Sequence, residues 1–117
     1  RSGVSFGFGT ADPWLPQPAD WSKLSVEAQD SDHTSMLWLY RDALHLRREL
    51  HRLHGGEFEW LELSAGVIAF TRGDHFACVV NFGDRAIDLP AGEVLLTSVP
   101  LDSGTLPTDA AAWIALP

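Results

Sequence analysis

The sequence predicts a mainly β fold preceded by one long helix. Two observations lead to this fold class. Apolar side chains recur with a period near 3.6 over residues 32–53, and after Gly56 the apolar period changes to two, in several short runs. The chain has 117 residues, of which 45% are hydrophobic and 21% charged. These values are typical of one modest globular domain.

Residues 1–24 are predicted to form an irregular, extended arm. Glycines stand at positions 3, 7 and 9, and prolines at 13, 16 and 18, with no helical or strand period between them. Each proline fixes its own φ and favours extended backbone in the residue before it. Trp14 and Trp21 lie on this arm, and exposed tryptophans are costly in water. We therefore expect the arm to pack against another surface.

The helix is predicted to begin after Asp30, Ser31 or Asp32, any of which can cap it, and to end at the glycine pair 55–56. Its apolar residues spread over an arc of about 200° when they are placed at helical steps. One flat partner needs a narrower face. The helix is therefore predicted to lie between two partners.

Arg47 lies near the centre of this apolar arc. A buried guanidinium needs a partner, and Glu27 is the carboxylate that we expect to pair with it, joining the arm to the helix. The alternative is an arginine whose stem packs while its head reaches water. We favour the ion pair, which predicts that Arg47→Met destabilises the fold.

Six short runs after the helix alternate in the manner of strands: residues 57–63, 66–72, 75–82, 86–89, 93–98 and 112–116. Gly73 and Asp74 stand between two of these runs and predict a tight hairpin turn, with Gly73 at positive φ. Strands this short and this closely spaced predict a small antiparallel sandwich or barrel.

Composition excludes several classes of function. The net charge is −8, so a nucleic-acid partner is not expected. No apolar run is long enough to span a membrane. Residues 1–10 lack the features of a signal peptide, and the absence of an initial methionine indicates a piece of a longer polypeptide. The single cysteine rules out an internal disulfide, and we expect a cytoplasmic protein.

Glu57, Glu59 and Glu62 beside Trp60 are the residues that most resemble a sugar cleft, because glycosidases use paired carboxylates and aromatic platforms. The alternative is the solvated face of a strand that packs Phe58 and Trp60 inward. With sixteen acidic residues in the chain, some pair always looks suitable. We favour the strand face.

The histidines and the cysteine are not expected to bind a metal. His51 and His54 are three residues apart on the helix, but zinc requires three or four ligands and nothing else stands at ligand spacing. Cys78 alternates with Phe76 and Val80, so we expect an inert core thiol.

Four motifs in order resemble a known family. They are PWLP at 13–16, VEAQ at 26–29, S-x-L-x-x-Y-R-x-A-L-x-L-R-R at 35–48 and VVNF at 79–82. The closing GTLPTDAAAWIAL is also similar to that family's last strand. Together they resemble the C-terminal end of α-glucosidases and oligo-1,6-glucosidases. These enzymes belong to the α-amylase superfamily, glycoside hydrolase family 13.

The resemblance implies a fold and a partner. Residues 1–31 would be the arm from an (α/β)8 barrel, 32–54 its last helix, and 56–117 the antiparallel β-sandwich called domain C. Most of the barrel, roughly 250 residues, is not in this chain. The implied partner is that barrel, in cis or as an associated fragment. Residues 6–9 and 13–16 could border the substrate entrance, although packing against the barrel or domain C is the favoured interpretation.

The resemblance also implies an activity for the parent protein, a retaining α-glucosidase acting on oligosaccharides. Its aspartate nucleophile, glutamate acid/base and second aspartate have no counterpart among these residues. We therefore assign no catalytic, substrate-binding or metal residue and no cofactor to this chain, and expect the fragment alone to be inactive. The alternatives are a stand-alone carbohydrate-binding or interaction β-domain, and the same segment of a trehalose synthase or another transglycosylating relative.

Overall fold

The computed structural model describes residues 4–53 and 56–117. These residues divide into two compact units. The first unit ends at Leu44 and the second begins at His45, so the division falls inside the long helix.

Seven strands lie in the described part of the second unit. They are β1 (Phe58–Leu61), β2 (Val67–Arg72), β3 (Phe76–Asn81), β4 (Ile87–Asp88), β5 (Glu93–Thr97), β6 (Thr105–Leu106) and β7 (Ala110–Ala115). Five of them form an antiparallel sheet in the order β1-β2-β3-β7-β5, and β4 pairs with β6 in a second, two-stranded sheet. The mainly antiparallel β character is confirmed, whereas the closed sandwich stays a prediction.

The core of the second unit lies on one face of the five-stranded sheet. Mostly small side chains on the neighbouring strands β2, β3 and β7 form one side of this core. Leu106 of β6 packs against them and is fully buried. Because alternate residues of a strand point to opposite faces, one register places the whole set on the same side. The buried cluster comprises Ala69, Ala77, Val79, Leu106, Ala110, Ala112 and Ile114.

Asn81, at the end of β3, is a fully buried polar side chain whose amide groups are all satisfied. Its Nδ2 donates to the carbonyls of Arg85, Leu106 and Pro107 at 2.9, 3.1 and 3.0 Å. Its Oδ1 accepts from the N–H of Gly83 at 2.9 Å. One side chain thus joins the turn after β3 to the segment after β6. Buried polar groups persist only when paired in this way.

The first unit is largely helical. A 3-10 helix covers Ala19–Leu24, α1 covers Val26–Asp30 and α2 covers Met36–Leu53, continuing into the second unit. The short turn Val4–Gly7 contains three residues at positive φ, Ser5, Phe6 and Gly7. The expectation of an extended arm is therefore wrong for residues 19–24 and 26–30, which are helical. Ser25 caps α1 by accepting from the N–H of Ala28.

Helix α2 begins at Met36, four residues later than predicted. Asp32 uses its carboxylate to close a turn on Thr34, so it is not available as a cap. Gln29 caps the helix instead: its Oε1 accepts from the N–H of Leu37 at 3.0 Å, and its Nε2 donates to the carbonyl of Leu24 at 2.6 Å. This residue is the last of the VEAQ motif. Its side chain satisfies one of the free N–H groups at the helix start.

Two further predictions can be compared with the structure. Gly73 has φ of 61°, as the hairpin between β2 and β3 requires. Strand β6 is an additional strand that the sequence pattern did not indicate, because two residues are too few to show a period. The expected stop at the glycine pair involves position 55, which lies outside the described residues.

Among the described helices, none is long and apolar enough to cross a membrane.

Replacing Asn81 tests the buried amide. Asn81→Ala is expected to lower the free energy of unfolding by about 2–4 kcal/mol, because it leaves buried carbonyls without a donor. Asn81→Asp should also destabilise, since a carboxylate cannot donate. Urea unfolding followed by fluorescence measures both. Thr108→Ala, at an exposed position, is the control. A loss below about 1 kcal/mol for Asn81→Ala would show that the amide is not a principal support.

Candidate functional site

The face of the five-stranded sheet opposite the core is also apolar. We call it the outer face, and it is defined by one row of paired residues across the five strands and, on β1, β2 and β3, by the even-numbered residues of the strand. Along this row Trp60 pairs with Phe70, Phe70 with Cys78, Cys78 with Trp113 and Trp113 with Leu96. Antiparallel partners share a face, so these side chains form a continuous strip.

Aromatic rings concentrate at the β1 edge of the outer face. Phe58 lies 4.8 Å from Trp60, edge to face, and 5.0 Å from Phe70, ring centre to ring centre. Trp60 remains 68% exposed and Phe58 46% exposed. The expectation that this strand packs Phe58 and Trp60 inward is therefore wrong: within this chain both side chains are exposed to solvent. Exposed aromatic clusters of this kind mark surfaces that contact another molecule or another part of the protein.

The proposed sugar cleft of glutamates beside Trp60 is not formed. Glu59 pairs with Thr71 and Trp60 with Phe70, so consecutive residues of β1 point to opposite faces. Glu59 and Trp60 cannot line one cleft. Glu57 and Glu62 lie outside β1, before and after it, and both are exposed.

Helix α2 contributes to the outer face within the second unit. Arg47 and Leu50 lie over the strip beside Phe76 and Cys78, and enclose a pocket of about 300 Å³. Trp113, Phe70 and Arg72 complete the lining. Phe76 and Trp113 meet edge to face at 5.7 Å between ring centres. The pocket is therefore aromatic on its sheet side and is lined by two arginines.

Arg47 is an exposed side chain in this structure, not a buried one. We expected a carboxylate partner because a buried, desolvated guanidinium needs one. Because the Arg47 side chain is exposed, that reason no longer applies. The description that fits is the second one weighed from the sequence, an arginine whose stem packs on apolar neighbours while its head stays solvated. The pairing of Arg47 with Glu27 stays a prediction without that support.

Cys78 is 7% exposed and forms part of the pocket wall. Burial raises the pKa of its thiol, while the contact with Trp113 acts in the opposite direction with smaller effect. The thiol is therefore neutral near pH 7, and a neutral thiol is a poor nucleophile. This agrees with the expectation of an inert, buried thiol, although Cys78 lies on the outer face and not in the core cluster.

Metal binding finds no support in the described part of the chain. No group of three His, Cys, Asp or Glu side chains there is arranged to hold an ion. His54 and the side chain of His51 lie outside the described residues, so their predicted lack of a metal role is untested.

In the first unit, the segment that could border a substrate entrance presents aromatic rings to solvent. Phe8 and Trp14 are each 94% exposed. Together with Leu15, Trp21 and Leu24 they line a broad apolar concavity. The Oε1 of Gln17 also lies there, buried and without a hydrogen-bond donor among the described residues.

The pocket with Arg47 and Arg72 is the feature that sequence reasoning missed. The sequence did contain a signal for the sheet side of this pocket, because most of the residues concerned have even numbers. Phe58, Trp60, Phe70, Arg72, Phe76 and Cys78 are all even, and three adjacent antiparallel strands of matching parity bring them to one face. The helix contribution carried no comparable signal, because the packing of α2 on the sheet depends on tertiary structure.

Comparison with known proteins identifies the class. The model of a family described as a domain of unknown function (DUF3459) matches residues 38–113. The chain belongs to this family. It is 32% identical over 83 residues to a protein of Rhizobium meliloti (strain 1021) named "Probable alpha-glucosidase", covering 68% of this chain and 15% of that relative.

Other relatives carry related names and one unrelated name. Identity is 28% over 86 residues with glucan 1,6-alpha-glucosidase of Streptococcus pneumoniae serotype 4 (strain ATCC BAA-334 / TIGR4), 71% of this chain and 16% of that one. It is 29% over 104 residues with amino acid transporter heavy chain SLC3A2 of Oryctolagus cuniculus, 80% and 20% respectively. The chain thus spans between about a seventh and a fifth of the length of these relatives.

The crystal structure of an alpha-glucosyl transfer enzyme, XgtA, is similar to this fold, with a TM-score of 0.67 and 26% sequence identity. The match covers 93% of this chain and 23% of that one. The resemblance to the α-glucosidases of the α-amylase superfamily is confirmed. The structural match also supports the assignment of the β strands to the β domain of such enzymes.

The burial of Cys78 predicts slow alkylation. In the native complete gene product, iodoacetamide at pH 8 should modify Cys78 far more slowly than in urea, because the thiol is both shielded and held in its neutral form. Peptide mass spectrometry reports the site-specific extent with time. Equal rates in native and urea-unfolded protein would contradict the structure.

Proposed function

We propose that this chain is the C-terminal stabilising part of a retaining α-glucosidase. In this proposal residues 32–54 are the last helix of an (α/β)8 barrel, 56–117 are domain C as a β-sandwich, and 1–31 are the connection from the barrel. The proposal also includes a cytoplasmic location, in keeping with the single cysteine.

One observation carries the proposal. Met36, Tyr40 and Leu44 stand four residues apart on α2 and are 60%, 64% and 49% exposed. Residues at this spacing form one stripe along a helix. A stripe of large apolar side chains needs a partner, and the relatives are several times longer than this chain. The missing barrel is the partner that fits both facts.

The arm supports the same conclusion. Phe8 and Trp14 are almost fully exposed around an apolar concavity, and Gln17 has a buried oxygen without a donor. An orphaned buried acceptor costs free energy, so a donor from outside the described residues would stabilise it. We infer that the rest of the polypeptide supplies both the apolar cover and the donor.

The activity belongs to the proposed parent. It would hydrolyse terminal α-linked glucose from oligosaccharides with two carboxylates about 5 Å apart, one as nucleophile and one as acid and then base. The covalent glycosyl-enzyme formed in this way is hydrolysed with retention of configuration. No residue of this chain takes part in these steps. Its role is to complete and stabilise the barrel.

Two alternatives have specific support. A transglycosylating relative is favoured by the structural similarity to an alpha-glucosyl transfer enzyme. A non-catalytic interaction module is favoured by the similarity to a transporter heavy chain and by the exposed rings of Phe58 and Trp60. The exposed stripe on α2 speaks against a module that works by itself.

Activity assays on two proteins test the proposal. The complete gene product should hydrolyse p-nitrophenyl α-glucoside and isomaltose, with NMR showing the α-anomer released first, whereas the 117-residue chain should release nothing above buffer. Intact mass of the gene product establishes whether it is longer than this chain. Transfer products in place of glucose would favour the transglycosylating relative. Activity of the short chain would overturn the proposal.

Charge placed on the α2 stripe should act only when the barrel is present. Tyr40→Glu is expected to lower the melting temperature of the complete gene product by several degrees, because it buries a carboxylate in an apolar interface. The same change in the 117-residue chain should have little effect. Asp42→Lys, at an exposed position of the same helix, is the control. Equal small shifts in both proteins would mean that the stripe has no partner.

A further inference from the structure

We propose that the pocket between α2 and the outer face binds a monosaccharide phosphate. Arg47 and Arg72 would hold the phosphate, and the aromatic wall formed by Phe70, Phe76 and Trp113 would take the apolar face of the sugar ring. The site lies wholly within the second unit. The proposal rests on the chemistry of the pocket and not on the α-glucosidase proposal.

The charges of the pocket favour an anion. Both cationic residues that line it are arginines, and the lining contains no carboxylate. Neither Arg47 nor Arg72 forms an ion pair with a described residue, whereas Arg41 pairs with Asp30 at 2.7 Å.

Guanidinium groups select phosphate among anions by geometry. Their planar arrays of N–H donors match phosphate oxygens in pairs, which gives short, charge-assisted hydrogen bonds. A phosphate monoester carries close to two negative charges near pH 7, so two guanidiniums match its charge. The Cys78 thiol in the wall is neutral, and therefore adds no repulsion.

The remaining walls favour a small saturated ring. Phe70, Phe76 and Trp113 line the pocket, and the negative face of an aromatic ring attracts the positively polarised C–H groups of a pyranose. A pocket of about 300 Å³ lies at the lower limit of small-molecule sites, which suits one monosaccharide and excludes a long oligosaccharide. Both arginine side chains are exposed, so the phosphate end of the ligand would face solvent.

Binding measurements on the complete gene product test the proposal with three probes: glucose 6-phosphate, inorganic phosphate and glucose. Isothermal titration calorimetry should give the tightest binding for glucose 6-phosphate and weaker binding for phosphate. Any heat of binding from glucose alone should be the same in the arginine variants as in the unsubstituted protein. Arg47→Met and Arg72→Met should each weaken glucose 6-phosphate binding about tenfold, since each removes hydrogen bonds to a charged group.

Arg85→Met is the matched control, because Arg85 is an exposed arginine outside the pocket. It should leave the affinity unchanged. A local readout separates this pocket from any other sugar site: glucose 6-phosphate should protect Arg47 and Arg72, but not Arg85, from phenylglyoxal, as mapped by peptide mass spectrometry. Melting temperatures without ligand should be similar for Arg72→Met and Arg85→Met, so a loss of affinity in Arg72→Met alone reports the missing guanidinium group.

Four results would overturn the proposal. They are no binding of glucose 6-phosphate at millimolar concentration, equal affinities for glucose 6-phosphate and inorganic phosphate, equal losses in Arg85→Met and the pocket variants, and no protection of Arg47 and Arg72. None of these results bears on the hydrolysis of α-glucosides, so failure here is distinguishable from failure of the α-glucosidase proposal.

Discussion

The amide of Asn81 is the interaction on which the arrangement of the second unit depends. It is fully buried, and its hydrogen bonds reach backbone carbonyls after β3 and around β6, which are far apart in sequence. Strand β6 has only two residues, too few to hold a position by pairing alone. Because Leu106 of β6 packs on the core, the amide also fixes the residue that covers the small side chains of the sheet. A polar group thus determines where the apolar core closes.

The five-stranded sheet is apolar on both faces, and the two faces are covered differently. The inner face is closed by alanines and Leu106 within the chain. The outer face is covered only in part by Arg47 and Leu50, and its β1 edge remains open at Phe58 and Trp60. Antiparallel sheets more often have one solvated face. A sheet with two apolar faces is suited to a middle layer, as expected of a domain that joins a larger body.

Local pattern predicted most of the strands, since alternation is imposed by the sheet itself. It failed where long-range contacts decide. The start of α2 depends on Gln29, which caps the helix from eight residues before Leu37, while Asp32 is engaged in its own turn. The burial of Arg47 was inferred from its angular position alone, and an angle does not say how far a flexible side chain extends. The pocket requires β2, β3, β7 and α2 together, and no single segment indicates it.

Asn81 is the sole asparagine of the chain. Asparagine deamidates when the following backbone nitrogen can attack its side-chain carbonyl, a reaction that needs a mobile backbone and access to water. Here the amide is closed in a buried turn, with its Oδ1 already bonded to the N–H of Gly83. The residue type most prone to spontaneous chemical ageing is therefore present once, at a position that suppresses the reaction. This β domain should therefore resist asparagine deamidation long after synthesis.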